Sequence, residues 1–474
     1  MAVFYHEGET KKRPGVYQRH TNVGFDILTN GAQDGICAIP VKASWGPLGK
    51  VIRNTLASDL TKNYGKGEYG TGYTVPAAAA MFAGGASTVY TYRLGTGGTA
   101  ASKELTSGLT ATAKYVGTMP LSVAVQEKLG DSTRKQLQVY TGTTLVETWE
   151  FAAGEAEGAA LIAAAAESSY IILSATGEAP ATVPVLAVAS GALTGGVDPT
   201  VTNSDYSAAF AALEPYYYNT IALDVDDDKD MTLSLLLHSY LANAYKLGKL
   251  GVAVVGEKTT VEFETRCAHS RSFNDAKVVY LGGGYMAGTD SKDGVMAICY
   301  TAGVIASTPS NQGITHTVVK GATELCESLT YAQYEDAIDA GMLLLSMAPD
   351  GTIWYDSGIN TLINPDSGTQ DDGWKKIRRV KVRFELLDRL DRVLMPKVGR
   401  VPADSNGVAD VIQTGRRVLD AMVTEGKIMA GATFAEDPAN PMTGDSAWFI
   451  IQADDVDSLE KIYLQYQFRY TQNS

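Results

Sequence analysis

From Tyr206 onward the chain alternates short apolar runs with amphipathic stretches. Residues 219–225 (NTIALDV), 251–255 (GVAVV) and 277–281 (KVVYL) are too short for helices and nearly continuous in apolar character, which predicts strands buried on both faces. Residues 231–247 place Leu235, His238, Leu241, Ala242 and Tyr245 at helical spacing, and residues 294–307 predict a helix of small residues. This rhythm predicts a parallel α/β sheet with helices on its faces.

The flanking pattern differs. The first fourteen residues are polar and read as a flexible arm ending at Pro14-Gly15. Residues 35–51 (GICAIPVKASWGPLGKV) mix β-branched residues with turn formers. Composition shifts at residues 95–99 (GTGGT) and shifts back near residues 195–199, and the block between holds short strand-like runs at 109–115, 121–126, 136–140 and 145–151 with one alanine-rich helix at 155–166. It predicts a small β-sandwich or barrel looped out of a larger fold.

In the last third, residues 331–340 predict a helix, and residues 341–347 with 352–355 a hairpin turning at Pro349-Asp350-Gly351. Trp374, Ile377, Val380, Phe384, Leu387, Leu390 and Leu394 fall at three- and four-residue steps, the strongest helix in the chain, and residues 407–425 predict a second. Strands close the chain at 447–452 and 462–471. The expected division is an N-terminal arm (1–20), the first part of a core (21–95), an inserted β-sandwich (96–198), an α/β domain (199–365), a C-terminal α+β domain (366–461) and a terminal strand arm (462–474).

Composition narrows the function. The chain has 474 residues, about three domains' worth. Lys+Arg is 39 against Asp+Glu 53, a formal charge of −14, which argues against a bulk polyanion binder. Charged residues are only 19% and glycines number 48, which suits a surface hidden against partners. No run reaches the roughly 18 apolar residues of a spanning helix, and the start lacks the apolar segment of a secretory signal. Cys37, Cys267, Cys299 and Cys326 are scattered, which predicts reduced, mostly buried thiols rather than a metal site or a disulfide framework.

Four motifs invite chemistry and are read as structural. Residues 282–287 (GGGYMA) match a dinucleotide fingerprint, but no helix follows at once and no acidic residue sits in a strand ~20 positions on, so a tight turn is expected. Residues 251–258 approach a phosphate loop, yet Glu257 stands where lysine is required. The acidic run 224–230 lacks the glycine and glutamate of a calcium loop and is read as capping a helix near Met231. Asp224, His238 and a downstream serine have the order of a subtilisin-type triad, but Ser270, Ser272 and Ser307 sit in no nucleophile turn. A serine hydrolase and a nucleotide-binding enzyme are the alternatives kept in view.

Two features point to assembly. Lys375, Lys376, Arg378, Arg379, Lys381 and Arg383 lie off the apolar stripe of their helix and are expected to face outward. They form either a solvated face offset by Glu385, Asp388 and Asp391 or a dock for an acidic protein surface. Near the end, Ile462, Leu464, Tyr466, Phe468 and Tyr470 alternate with polar or less apolar positions, the period of a strand. That strand is either an edge in its own domain or a strand donated to a neighbour.

The order of several patches resembles one family, the contractile tail sheath proteins of myophages, phage-like elements and R-type bacteriocins. The patches are Arg13-Pro14-Gly15-Val16-Tyr17, residues 36–51, 218–227 (YNTIALDVDD), 302–310 (AGVIASTPS), 354–364 (WYDSGINTLIN), 374–383 and 398–406 (VGRVPADSN). The resemblance implies an α/β and α+β multidomain fold: an inserted β-sandwich, a subtilisin-like α/β domain without catalysis, and a C-terminal α+β domain with exchanged terminal strands. It further implies hexameric rings stacked helically around an inner tube, with baseplate and tail terminator proteins as further partners. No cofactor, metal, direct nucleic-acid contact or membrane insertion is implied. On this reading the six cations dock the inner tube, and Val16 and Tyr17 with Leu464, Tyr466, Phe468 and Tyr470 exchange strands between subunits. Gly15 and residues 454–458 are the expected hinges, in a tail or bacteriocin particle assembled in the bacterial cytoplasm.

Overall fold

The computed structural model describes residues 3–4, 17–18, 34–66, 72–106, 108–154, 156–175, 188–225 and 231–468. They fall into two compact units, one built on residues 34–381 with the tail from Asp457, the other on residues 1–33 and 382–456.

The first unit is organised by a seven-stranded sheet in the order Met342–Leu343, Val278–Leu281, Val252–Gly256, Thr220–Ala222, Ile36–Val41, Thr88–Arg93 and Val51–Asn54. Every neighbouring pair is parallel except the last. The apolar runs at 219–225, 251–255 and 277–281 thus form its middle, and Ile36–Val41 is buried at every position. One face is covered by the helices Asn203–Leu213, Thr232–Lys246 and Phe263–Phe273, which contribute Phe210, Leu237, Leu241 and Phe273 to the core. The helix Val295–Ser307 lies on the sheet, where the Thr220 hydroxyl donates to the Ala302 carbonyl at 3.0 Å. Its Gly303 meets the end of the helix Val75–Ala83 at Gly84, so closely that a β-carbon on Gly303 would lie 2.1 Å from the Met81 carbonyl oxygen.

Between Arg93 and Asn203 the chain leaves this sheet and returns. Four antiparallel strands, in the order Thr144–Ala152, Asp131–Thr141, Leu121–Lys128 and Val188–Ala192, form one sheet, and Ile171–Ala175, Leu109–Ala113 and Ser102–Thr106 form another. They share a core of Leu109, Val123, Val139, Phe151 and Ile171, joined by Leu161 from the helix Glu157–Ala164. Arg93 is fully buried at the neck, donating to the carbonyls of Ala43 (2.9 Å), Gly46 (2.6 Å) and Val116 (2.9 Å). The Asp198 carboxylate accepts from Ser44 and Thr118 nearby, and Trp45 stacks on Tyr170.

The hairpin expected at 341–355 is shorter than its pattern. Leu345–Met347 pairs with Ile353–Tyr355, while Met342–Leu343 becomes an edge of the large sheet, parallel to Val278–Leu281, where both of its apolar side chains are buried.

The second unit contains the helix Ser405–Thr424 and the hairpin Thr433–Glu436 with Phe449–Gln452. The helix Ile377–Leu394 begins in the first unit and continues into this one. Val382, Leu390, Val418, Met422 and Phe434 make the core, with Phe434 over Gly415 at a distance that excludes a side chain. Arg389, Glu385, Glu425 and Lys427 form a network beside it: Arg389 binds Glu385 and Glu425 at 2.5 and 2.6 Å, and Lys427 reaches both carboxylates at 2.7 Å. Hydrogen bonds from Arg389 and Lys427 outweigh the upward push of burial on Glu425 and hold its carboxyl below the ordinary range. Val3–Phe4 pairs in parallel with Tyr17–Gln18.

The strand expected at 462–471 is not formed over its described part, residues 462–468. Residues 457–468 have no regular secondary structure, because a period-two pattern needs a partner row of backbone groups, and no described strand of the chain lies beside this one.

Candidate functional site: the basic helix start and the outgoing tail

The residues of the hydrolase alternative have separate partners. Asp224, at the carboxyl end of its strand, is buried and accepts from the hydroxyls of Tyr206 (2.7 Å) and Thr74 (2.6 Å), with the Lys42 ammonium at 3.7 Å. Burial raises its carboxyl above the ordinary range against the pull of those groups. His238 instead meets Asp275, Nε2 to Oδ2 at 2.9 Å. Ser270 is buried in the helix Phe263–Phe273, the Ser272 hydroxyl donates to the His269 carbonyl at 2.6 Å, and the Ser307 hydroxyl to the Gly84 carbonyl at 3.2 Å. The glycine-rich turn runs into the short strand Tyr285–Ala287, paired with Asp290–Lys292, so no helix follows it directly. Most of the acidic run, residues 226–230, lies outside the described residues. Among the described residues no group of three or more His, Cys, Asp or Glu is placed to hold a metal, and no helix is long and apolar enough to cross a membrane.

The six cations do not form the outward face expected of them. Lys381 is driven inward and its ammonium caps the end of the helix Val295–Ser307, donating to the carbonyls of Ile305 (2.6 Å) and Thr308. Arg378 is buried and donates to the Ser458 hydroxyl at 3.2 Å. Arg379 lies over Gly373 with Asp371 at 4.0 Å, and Arg383 meets Asp455 at 3.1 Å. Lys376 pairs with Glu460, and Lys375 with Asp372 at 2.9 Å. The sequence pattern treats this helix as a cylinder with one apolar stripe, whereas Ile377, Val380, Val382 and Phe384 are all buried. Those four span more than one face, so cations between them are enclosed and must find partners.

The tail is held and then released. Residues 454–456, expected to hinge, are tied down: Asp454 accepts from the Met429 amide at 2.7 Å and the Val456 amide donates to Lys427 at 3.0 Å. Beyond Glu460 the side chains stand in solvent, from 69% exposed at Ile462 to 94% at Phe468. Tyr466 and Phe468 stack on each other with centroids 6.3 Å apart. Tyr17 lies in the short strand Tyr17–Gln18, while Val16, Gly15 and Tyr470 lie outside the described residues.

Sequence reasoning overlooked Arg93, Asp198, Asp455 and Glu460. Arg93 carries a usable signal, a lone cation closing an otherwise uncharged strand (TVYTYR). Glu460 carries none, since its partners Lys376 and Thr315 are remote in sequence.

Residues 200–361 match the family model described as the phage tail sheath protein central domain. Over 96% of its length the chain is 24% identical to the phage-like element PBSX protein XkdK of Bacillus subtilis, covering 97% of that protein. It is also 26% identical to the Bacillus subtilis protein YqbK over 75% of the chain and 74% of that protein. Its fold is that of the sheath tail protein of Listeria innocua, with a TM-score of 0.70 at 21% identity over 90% of this chain and 96% of that one. The sheath tail protein of Desulfitobacterium hafniense gives 0.71 at 20% identity, covering 93% and 100%. The helical sheath of the anti-feeding prophage in its contracted state gives 0.53 at 12% identity, covering 97% and 99%. The fold of the chain thus resembles that of sheath tail proteins along most of its length, and residues 200–361 match the model of the phage tail sheath central domain.

Proposed function

We propose that the chain is the structural, non-enzymatic subunit of a contractile tail sheath. It polymerises helically as stacked hexameric rings around an inner tube and shortens to drive that tube through a target cell envelope. The observation that carries this reading is the apolar tail, whose Leu464, Tyr466 and Phe468 keep a strand's alternation while exposed to water. An exposed apolar strand gains main-chain hydrogen bonds and burial by joining a neighbour's sheet, and a head-to-tail contact of that kind propagates into a helix when it does not close. Val16 and Tyr17 at one end, and Leu464, Tyr466, Phe468 and Tyr470 at the other, are the strands exchanged.

The α/β domain then serves as a subtilisin-like scaffold whose Asp224 and His238 are structural. Contraction is the escape of a kinetically trapped extended assembly into a packing that buries more surface. The inner tube, a baseplate and a tail terminator are the partners, in a phage tail or bacteriocin particle assembled in the bacterial cytoplasm. Docking of an acidic tube through Lys375, Lys376, Arg378, Arg379, Lys381 and Arg383 would cost most of these cations a partner in their own chain. Lys375, the most exposed of the six, is therefore the one assigned to it.

Electron microscopy of the purified full chain tests the reading. Tubes or rings are expected, with soluble non-polymerising subunits after removal of residues 1–14 or 463–474. Ordinary polymers from both truncated chains would overturn strand exchange, and a full chain that never polymerises would overturn the sheath reading.

A further inference from the structure

The start of the basic helix holds the outgoing tail at one place. The Glu460 carboxylate uses both oxygens: Oε2 pairs with the Lys376 ammonium and Oε1 accepts from the Thr315 hydroxyl at 3.0 Å. Two residues earlier, Ser458 accepts from Arg378 at 3.2 Å and lies so close to Gly313 that a β-carbon there would come within 3.0 Å of its hydroxyl oxygen. The gripping residues stand on a fixed base. Lys376 forms a backbone bridge with Ile359, and the Asn360 side chain donates to the Trp374 carbonyl at 2.7 Å while itself buried. From Ile462 onward the side chains are exposed, so Glu460 is the last described residue of the chain whose side chain is gripped by a distant element.

We infer that Lys376, Arg378 and Thr315 form a clasp on Ser458 and Glu460 that sets the exit point of the C-terminal tail. In a chain of charge −14, two of the six clustered cations, Lys376 and Arg378, are thereby engaged by the chain's own tail. A tail leaving from a fixed point searches a smaller volume than one loose from Val456, which raises its effective concentration at whatever surface it meets. A partly exposed ion pair with two flanking hydrogen bonds is weak enough to yield when the tail is pulled. The consequence for assembly rests on the sheath reading. The clasp itself does not.

The test places a nitroxide label at Tyr463→Cys in the full chain, with Cys326→Ser removing the half-buried native thiol, at a concentration where light scattering shows monomer. Lys376→Glu and Glu460→Lys should each quicken label motion roughly three- to fivefold, and the double exchange Lys376→Glu/Glu460→Lys should restore the slow motion. Where a reversal prevents folding, Thr315→Val with Glu460→Gln serves instead, with the same quickening expected. Equal mobility in the parent chain and every variant would overturn the clasp. At higher concentration, polymers from a chain whose monomer label is already fast would sink the clasp and keep the sheath reading. A slow, exchange-sensitive label in a chain that never polymerises would do the reverse.

Discussion

Arg93 Nη2 donates to the Val116 carbonyl at 2.9 Å, joining a strand of the seven-stranded sheet to the inserted sandwich. The same guanidinium serves Ala43 and Gly46, so one buried cation satisfies three carbonyls, with no carboxylate among the described residues paired to it. Burial lowers it to about 10, which leaves it charged at neutral pH. Arg93→Met strands those carbonyls and should cost about 3–5 kcal/mol. Lysine offers no planar fork and should recover little of it. Urea unfolding followed by tryptophan emission, with Trp45 at the neck, measures the loss; a change under about 1 kcal/mol would show that the neck does not depend on Arg93.

The crossing of Gly303 and Gly84 makes a second demand. A β-carbon on Gly303 would sit 2.1 Å from the Met81 carbonyl oxygen, and one on Gly84 2.1 Å from the Tyr300 carbonyl oxygen. Both obstacles are backbone and cannot rotate away. Gly303→Ala should therefore destabilise by about 3 kcal/mol or more despite alanine's better helix propensity. Alanine at Gly283 meets only ordinary contacts and is the control. Paired thermal melts decide it, and equal melting temperatures would contradict the close crossing.

Asp275 provides a pH test. Burial pushes its carboxyl up, but the hydrogen bonds from His238 and Lys277 prevail and bring it to about 2. A carboxyl held below its unfolded value adds stability that is complete above that value and is lost as pH falls through the folded one. Asp275→Asn should accordingly cost about 2 kcal/mol at pH 5, and the difference should shrink as pH falls from about 4 to about 2. Denaturant midpoints of both proteins across this range check the sign. A gap that widens toward acid would refute it.

Much of the fold was legible because burial leaves a periodic mark. The helix Val295–Ser307 was readable from its unbroken small and apolar residues, since a helix buried all round has no polar face to keep. The central strands were readable for the same reason. Pairing was not. Ile36–Val41 joins Thr220–Ala222 across some 180 residues through backbone groups, which carry no side-chain signature.

The sequence by itself determined the central strands at 219–225, 251–255 and 277–281, the helix at 294–307 and the family resemblance, because these follow from local periodicity and the order of motifs. Tertiary structure alone decided what the charges do. Lys381 became a helix cap, Lys376 a partner of Glu460 and Arg93 a buried clamp, since a cation's role depends on which carbonyls and carboxylates the fold brings to it. It also decided that the final strand pattern stays unpaired in one chain, because a strand is defined by a neighbour and none of the described strands lies beside it.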